Sequence, residues 1–306
     1  MWAINSPGFH ARVVAQQSGT TRKRIARKKL SALTLPVPSL PEQRRIVDLL
    51  EDHLSRLDAA TAGLESASRR LAVFGRESVQ RAVTAGTTTE VALGSLIERV
   101  EAGKSFGGSA PPATNDDWGV IKVSAMTWGE FRHQENKAVP AALVNQAYEI
   151  APGDILVSRA NTTAYVGAPV LVRSTPRRRL LSDKSLRLIP RNEVNREWLV
   201  AVLSAPNTRR QISAIATGTS DSMRNVSQKN LLSVRVPLAS PEEQRSIVRR
   251  LADVRVGADR LAYELNRGRA RADVLRRAVL EAAFSGRLTG RSADAEVVGE
   301  LAEVAP

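Results

Sequence analysis

The side chains in this sequence whose types and spacing suit chemistry are donors to anions and to base edges, not nucleophiles or metal ligands. The run SRANTTAY (158–165) holds Arg159, whose guanidinium can fork onto guanine, and Asn161, whose amide can pair with adenine; Thr162 and Thr163 are small enough for close approach. The alternative reading of this run is a solvated strand connection. RSTPRRRLLSDK (173–184) gathers Arg173, Arg177, Arg178, Arg179 and Lys184, a set suited to phosphate oxygens, with a solvated basic turn as its alternative. Lys104 and Ser105 stand in a glycine-rich loop from which they would reach backbone or bases. GTSDSMRNVSQKN (218–230) adds Arg224, Asn225, Ser227 and Lys229, which either touch a polyanion or close a domain. GTTRKRIARKK (19–29) is more basic still and suits phosphate. Aromatic residues make up only 4% of the chain, so base stacking on a single strand is not the expected mode, and a duplex fits better.

The enzymatic motifs fail on inspection. EAGKS (101–105) mimics the end of a phosphate-binding loop, but that loop needs glycine five positions before Gly103, where the chain has Glu98. His10, His53 and His133 have no metal-ligand spacing, and no glycine-rich cofactor fingerprint or Asn-Pro-Pro-aromatic stretch occurs. There is no cysteine, which excludes disulfides, thiolate nucleophiles and thiolate metal sites and suits a reducing cytosol. No apolar run approaches the ~18 residues of a membrane span, and MWAINSPGFH lacks the layout of a signal peptide. The expectation is therefore no catalytic residue, no bound metal or cofactor, and a cytoplasmic setting.

Charge points the same way. The formal net charge is +14, which favours a polyanionic partner, nucleic acid above all. Residues 1–38 carry seven Lys/Arg and no acid, six of them within TRKRIARKK (21–29). Residues 39–89 balance at seven against seven, residues 90–230 carry 18 basic and 13 acidic groups, and residues 231–290 carry 12 against 7. The acidic tail 291–306 is expected to fray.

The elements that must position these groups are announced by an internal repeat. PSLPEQRRIV (38–47) returns as ASPEEQRSIV (239–248), and the offset of 201 holds without a gap from Leu30/Leu231 through Arg76/Arg277. Upstream the offset becomes 199, with SPGFHARVVAQQSGT (6–20) opposite APNTRRQISAIATGT (205–219), so the second copy has two extra residues near 220–222. Ser39-x-x-Glu42 and Ser240-x-x-Glu243 are capping boxes, and Pro241 sits where a first helical residue needs no N–H. After each cap runs a proline-free apolar pattern. Leu50, Leu57, Leu64 and Leu71 recur every seven residues, next to Ile46; Ile247, Leu251, Leu261, Leu265 and Leu275 step by threes and fours, with a double step at Gly268. Two helices of about 40 residues, roughly 60 Å each, are predicted to pack on each other along these positions. Leu57 against Ala258 and Leu261 against Ala60 suggest matched sizes.

Between them lies a block of short β-like runs, GVIKVSAM (119–126), GDILVSRA (153–160), VGAPVLVRS (166–174) and LLSDKSLRLIP (180–190), parted by Pro/Gly/Asn/Asp clusters and followed by a helix from about Arg196. The predicted fold class is α+β, a strand-rich mixed domain plus two long helices paired as an antiparallel coiled coil. The expected domains are residues 1–38, 39–88 (first helix), 89–233 (strand-rich domain), 234–290 (second helix) and 291–306 (tail).

With these pieces in place, GSLIERVEAGKSF, APGDILVSRANTTAYVGAPVLV, GTSDSMRNVSQKNLLSVRVPLASPEEQRSIV and AVLEAAFSGRL together resemble the specificity subunit of type I restriction–modification systems. That resemblance implies two recognition domains spaced along DNA by an antiparallel helix pair. It implies partners in duplex DNA, methyltransferase subunits and a restriction/translocase subunit. S-adenosylmethionine, ATP and Mg2+ would belong to those partners, as would the nuclease and adenine methyltransferase activities. Residues 89–233 would be the target-recognition domain and 1–38 the end of a first one, since Met1 aligns opposite Val200 and nothing matching 91–200 precedes it. Either the true start lies upstream, or the gene was cut, or the chain is a half-subunit that pairs with a partner or with itself. The competing expectation is a scaffold that docks partners or homodimerises without reading a bipartite site.

Overall fold

The computed structural model describes residue 4 and residues 6–34, 37–86, 89–114, 116–127, 129–218, 220–221, 223–285 and 287–289. The acidic tail expected at 291–306 lies outside them. Helices α1 (Pro7–Ala15), α2 (Arg27–Ser31) and α3 (Leu40–Thr84) come first. Strands β1 (Glu90–Ala92), β2 (Ile97–Ala102), β3 (Gly119–Ile121), β4 (Asn136–Ala138), β5 (Ile155–Ser158), β6 (Ala160–Asn161), β7 (Pro169–Leu171), β8 (Arg179–Leu180) and β9 (Ser185–Pro190) follow. Helices α4 (Arg196–Ser204) and α5 (Pro206–Ile215), strand β10 (Arg224–Asn225), helix α6 (Gln228–Leu232), strand β11 (Arg235–Pro237) and helix α7 (Pro241–Phe284) complete the order. The architecture is α+β. The chain divides into two compact units, residues 1–72 with 258–306, and residues 73–257.

In the first unit α3 and α7 run antiparallel. Ile46, Leu50 and Leu54 share a buried cluster with Val279, Leu280, Ala282, Ala283 and Leu288; Asp58 pairs with Arg276; and Leu64 closes on Gly268. Gly268 explains the double step in the apolar pattern. A Cβ there would stand 3.3 Å from both Leu64 methyl carbons, so the absent side chain makes room for the leucine. Leu265 and Ala272 are buried in the seam, while Leu57, Leu64, Leu71 and Leu275 are half-buried. Thr61, Ser68 and Ala72 are too small to fill the space between the helices, leaving an open groove of about 610 Å³ walled by Glu65, Arg69, Arg269 and Asp273.

Three predicted seam residues behave otherwise. Leu261 is 49% exposed and Ala262 is half-buried instead. The inward stripe has moved by one residue, the drift an α-helix shows against a strict seven-residue repeat. Ile247 and Leu251 belong to the second unit, where they pack into its main core and not along the first unit's seam.

That core holds Val83 of α3, Leu93, Leu96, Ile155, Val157, Leu186, Leu188, Trp198, Leu199, Val202, Ile212, Val226, Leu231 and Ile247. Its sheet has the order β2-β9-β5-β7, antiparallel throughout, with Val157 opposite Leu186 and Ile155 opposite Leu188 and Leu171. A second sheet, β4-β3-β8, pairs β3 parallel to β8, Val120 facing Leu180. Two short ladders, β1-β11 and β6-β10, tie the ends. The capping box forms at α7: Ser240 N–H donates to Glu243 at 2.7 Å and Glu243 N–H to Ser240 Oγ at 3.3 Å. These bonds hold the Glu243 carboxyl below the usual carboxylate range. Gln244 is buried, donating to Ala239 O and accepting from Asn195 N–H, which fastens α7 to the start of α4. On the sheet, Arg187 bridges Asp154 and Glu101, both at 3.1 Å. Burial nonetheless raises the Asp154 carboxyl above its ordinary range, opposed by the Ala151 N–H and by Arg187.

Candidate nucleic-acid interface

Several predicted residues converge because three segments meet at one edge of the second unit. Past the end of β2, Gly103 presses on the Leu181–Ser182 backbone; a Cβ there would lie 2.3 Å from Leu181 C. This lets Lys104 form a parallel bridge with Ser182. The turn that follows is held by Ser185, whose Oγ accepts from Ser182 N–H at 3.0 Å and donates to Ser182 O at 2.9 Å. It presents Lys184, whose carbonyl accepts from Arg159 N–H at 2.9 Å. Lys104, Ser105, Lys184, Thr162 and Thr163 are exposed and Arg159 is half-buried, so these six form one polar strip with three cations. Asp221 borders it, accepting from Thr163 Oγ1 at 3.2 Å.

The exposed turn Thr162–Tyr165 is clamped from beneath. Val166 N–H returns to Thr162 O at 2.8 Å and Gly167 N–H to Ser158 O at 2.6 Å. Gly167 has φ +72 and touches α5 so closely that a Cβ would sit 2.3 Å from Ile212. From α5, Arg209 donates to Val166 O at 2.5 Å and Ser213 to Thr163 O at 3.4 Å. Burial pushes the Arg209 guanidinium down to about 10, which leaves it charged at neutral pH. Neither Arg209 nor Tyr165, 42% exposed at the tip, was among the residues singled out from sequence. The one available signal for Arg209 was its place three residues before Ile212 on the apolar face of α5.

Other predicted contacts turn inward. Asn161 is buried; its amide donates to Ser158 Oγ at 3.1 Å and accepts from Thr162 N–H at 2.8 Å, so it shapes the turn instead of facing a base. Arg179 is 2% exposed and donates to Thr114 O and Asp117 O, both at 3.1 Å, because the pairing of β8 with β3 points it into the fold. Arg224 is half-buried, donating to Gly218 O at 3.1 Å and to Ala216 O. Arg178 and Arg173 stay exposed but are engaged, Arg178 donating to Asp116 O and Arg173 paired with Glu197 at 2.9 Å. Arg177 and Lys229 are exposed, in segments that none of these strip contacts involve. Among the described residues no group of three or more His, Asp or Glu could hold a metal ion, and no helix is long and apolar enough to cross a membrane.

The strip lies on a strand-rich body in a chain with two long helices, and comparisons with known proteins show what this chain is similar to. Residues 10–66 match the family model described as type I restriction modification DNA specificity domain. The type I restriction enzyme EcoEI specificity subunit of Escherichia coli is 32% identical over 176 residues, 56% of this chain and 30% of that protein. The EcoKI specificity subunit of Escherichia coli strain K12 is 23% identical over 92% of this chain and 64% of its own length, so the chain spans under two thirds of either relative. A solved structure reported for complex assembly and conformational transition of the type I R-M system matches with TM-score 0.70 at 21% identity, covering 94% of this chain and 70% of that one. The HsdS subunit from Thermoanaerobacter tengcongensis matches with TM-score 0.54 at 20% identity, covering 94% and 69%. At these identities the structural likeness concerns the fold. Taken together, the findings support a type I restriction–modification specificity subunit.

Proposed function

We propose that this chain is the sequence-recognition subunit of a type I restriction–modification complex, reading a half-site in duplex DNA with the strip Lys104, Ser105, Arg159, Thr162, Thr163 and Lys184. The observation that carries the reading is the clamped turn. Donors beside it are held on a rigid scaffold, the condition for discriminating base edges, while Lys104 and Lys184 supply phosphate contacts. The chain itself catalyses nothing and binds no nucleotide. Methyltransferase and restriction subunits dock on α3 and α7 and bring S-adenosylmethionine, ATP and Mg2+, and the assembly works in the cytoplasm.

The test is selection from random duplexes followed by affinity measurement over a range of salt. Affinity for the selected half-site is expected to fall with a slope near −0.9 per phosphate contacted. Arg159→Ala is expected to lower preference by roughly 5- to 150-fold while leaving assembly with a methyltransferase subunit intact. Salt-independent binding, or none, defeats the proposal. Unchanged preference and assembly in that variant would favour a docking scaffold instead. A second arrangement, in which two copies of the chain pair, is tested by light scattering, which is then expected to give twice the monomer mass.

A further inference from the structure

The segment Arg22–Lys29 is outside the strip, and its construction is best understood beside its repeat. The turn is built twice. Ser18 and Arg24 exchange two backbone hydrogen bonds of 2.9 Å around Gly19 at φ +109; Thr217 and Asn225 exchange bonds of 2.8 and 2.7 Å around Gly218 at φ +137. A short helix follows each, α2 and α6. In the second copy this backbone belongs to the recognition body. Arg224–Asn225 pair with β6, the Arg224 guanidinium is held by two carbonyls, and Val226 and Leu231 are fully buried.

The first copy keeps the backbone and changes the side chains. Opposite Met223, Arg224, Asn225, Gln228, Lys229 and Asn230 stand Arg22, Lys23, Arg24, Arg27, Lys28 and Lys29, so two cations become six. All six are exposed, and among the described residues none makes a side-chain hydrogen bond or ion pair. No acid occurs before Glu42. These six cations fall within eight residues, so adjacent ones repel one another at about the Debye length of physiological salt, and nothing nearby in sequence offsets them.

We propose that Arg22–Lys29 is a second docking surface for duplex DNA, one that grips phosphates without regard to sequence. It rests on the proposed function only in taking DNA as the polyanion. The chemistry favours a duplex over the other polyanions. No aromatic residue lies between Gly19 and Leu30 to stack unpaired RNA bases, and the five-residue α2 is too short to offer the apolar face that an interfacial membrane helix needs. Cations beside a turn and a helix end also match the groups that contact phosphate without reading bases.

The test replaces all six with glutamine in the full chain (R22Q/K23Q/R24Q/R27Q/K28Q/K29Q). Affinity for the selected half-site duplex and for a scrambled duplex is measured between about 50 and 300 mM salt. Both are expected to weaken by the same factor, and the slope of log K against log salt is expected to shrink by about 0.9 for each phosphate contact removed, about 2.7 for three. Variants restricted to residues 22–24 or 27–29 are expected to give intermediate slopes, which guards against loss of folding in the sixfold variant. An unchanged slope overturns the proposal. So does a loss confined to single-stranded RNA or to vesicles of anionic lipid. If the wild type shows no preference between the two duplexes, the recognition reading fails, while the slope comparison still decides this one.

Discussion

Asn161→Ala and Arg159→Ala separate a residue that shapes the recognition turn from one that faces DNA. Asn161 is 8% exposed and supplies two hydrogen bonds, to Ser158 Oγ and from Thr162 N–H. Each is worth about 1 kcal/mol net, and the buried Ser158 hydroxyl left without its amide partner adds about 1–2 kcal/mol, so the variant is expected to lose roughly 3–4 kcal/mol. For a unit spanning residues 73–257 this lowers the melting temperature by roughly 5–15 °C. Arg159 is half-buried, so its truncation is expected to cost about 0.5 kcal/mol or less in stability. Removing one bidentate base contact, about 1–3 kcal/mol, should lower discrimination by roughly 5- to 150-fold. Differential scanning calorimetry and competition between matched and mismatched duplexes read the two effects. An Asn161→Ala protein that melts with the wild type yet loses its sequence preference would refute the assignment of Asn161 to the scaffold.

Other substitutions probe the remaining parts. Leu50→Ala, in the sealed end of the helix pair, is expected to cost about 2–5 kcal/mol in urea denaturation, and Leu261→Ala less than about 0.5 kcal/mol; equal costs would place Leu261 back in the seam. Burial raises the Asp154 carboxyl, so its contribution to stability is complete below the unfolded carboxylate value and is lost as pH rises through the folded one. The stability of wild type relative to Asp154→Asn should therefore decline as pH rises above the ordinary carboxylate value of about 4, and a rising trend would contradict this. Arg209→Met is expected to speed amide exchange at Val166 and Gly167 about tenfold or more, and unchanged exchange would show the clamp to be dispensable.

Much of the architecture is written in short-range signals. The capping box at Ser240, the apolar steps along both helices and the proline-bounded β-runs are each decided within a few residues, and that is why two long helices flanking a strand-rich block can be read from composition and period. The repeat made the helix pairing legible as well, since neither long helix has enough apolar surface to stand alone. The strip was half legible. Lys104, Lys184 and Arg159 are plausible from type, but their meeting depends on Gly103 lying against Leu181 and on Arg159 N–H reaching Lys184 O, contacts between segments far apart in the chain.

Arg177, Arg178 and Arg179 mark the boundary between the two kinds of information. Three identical side chains in a row give no local reason to differ, yet Arg177 is exposed, Arg178 reaches Asp116 O, and Arg179 is sealed among carbonyls of the 114–117 segment. Charge, helix starts and apolar periods are properties of neighbours along the chain, so residue order alone suffices to state them. Which cation faces solvent depends on how β8 registers against β3, and which amide builds the turn depends on where Ser158 is buried. Such partners are brought together only by the folded packing, because desolvation and hydrogen-bond geometry act across space and not along the sequence.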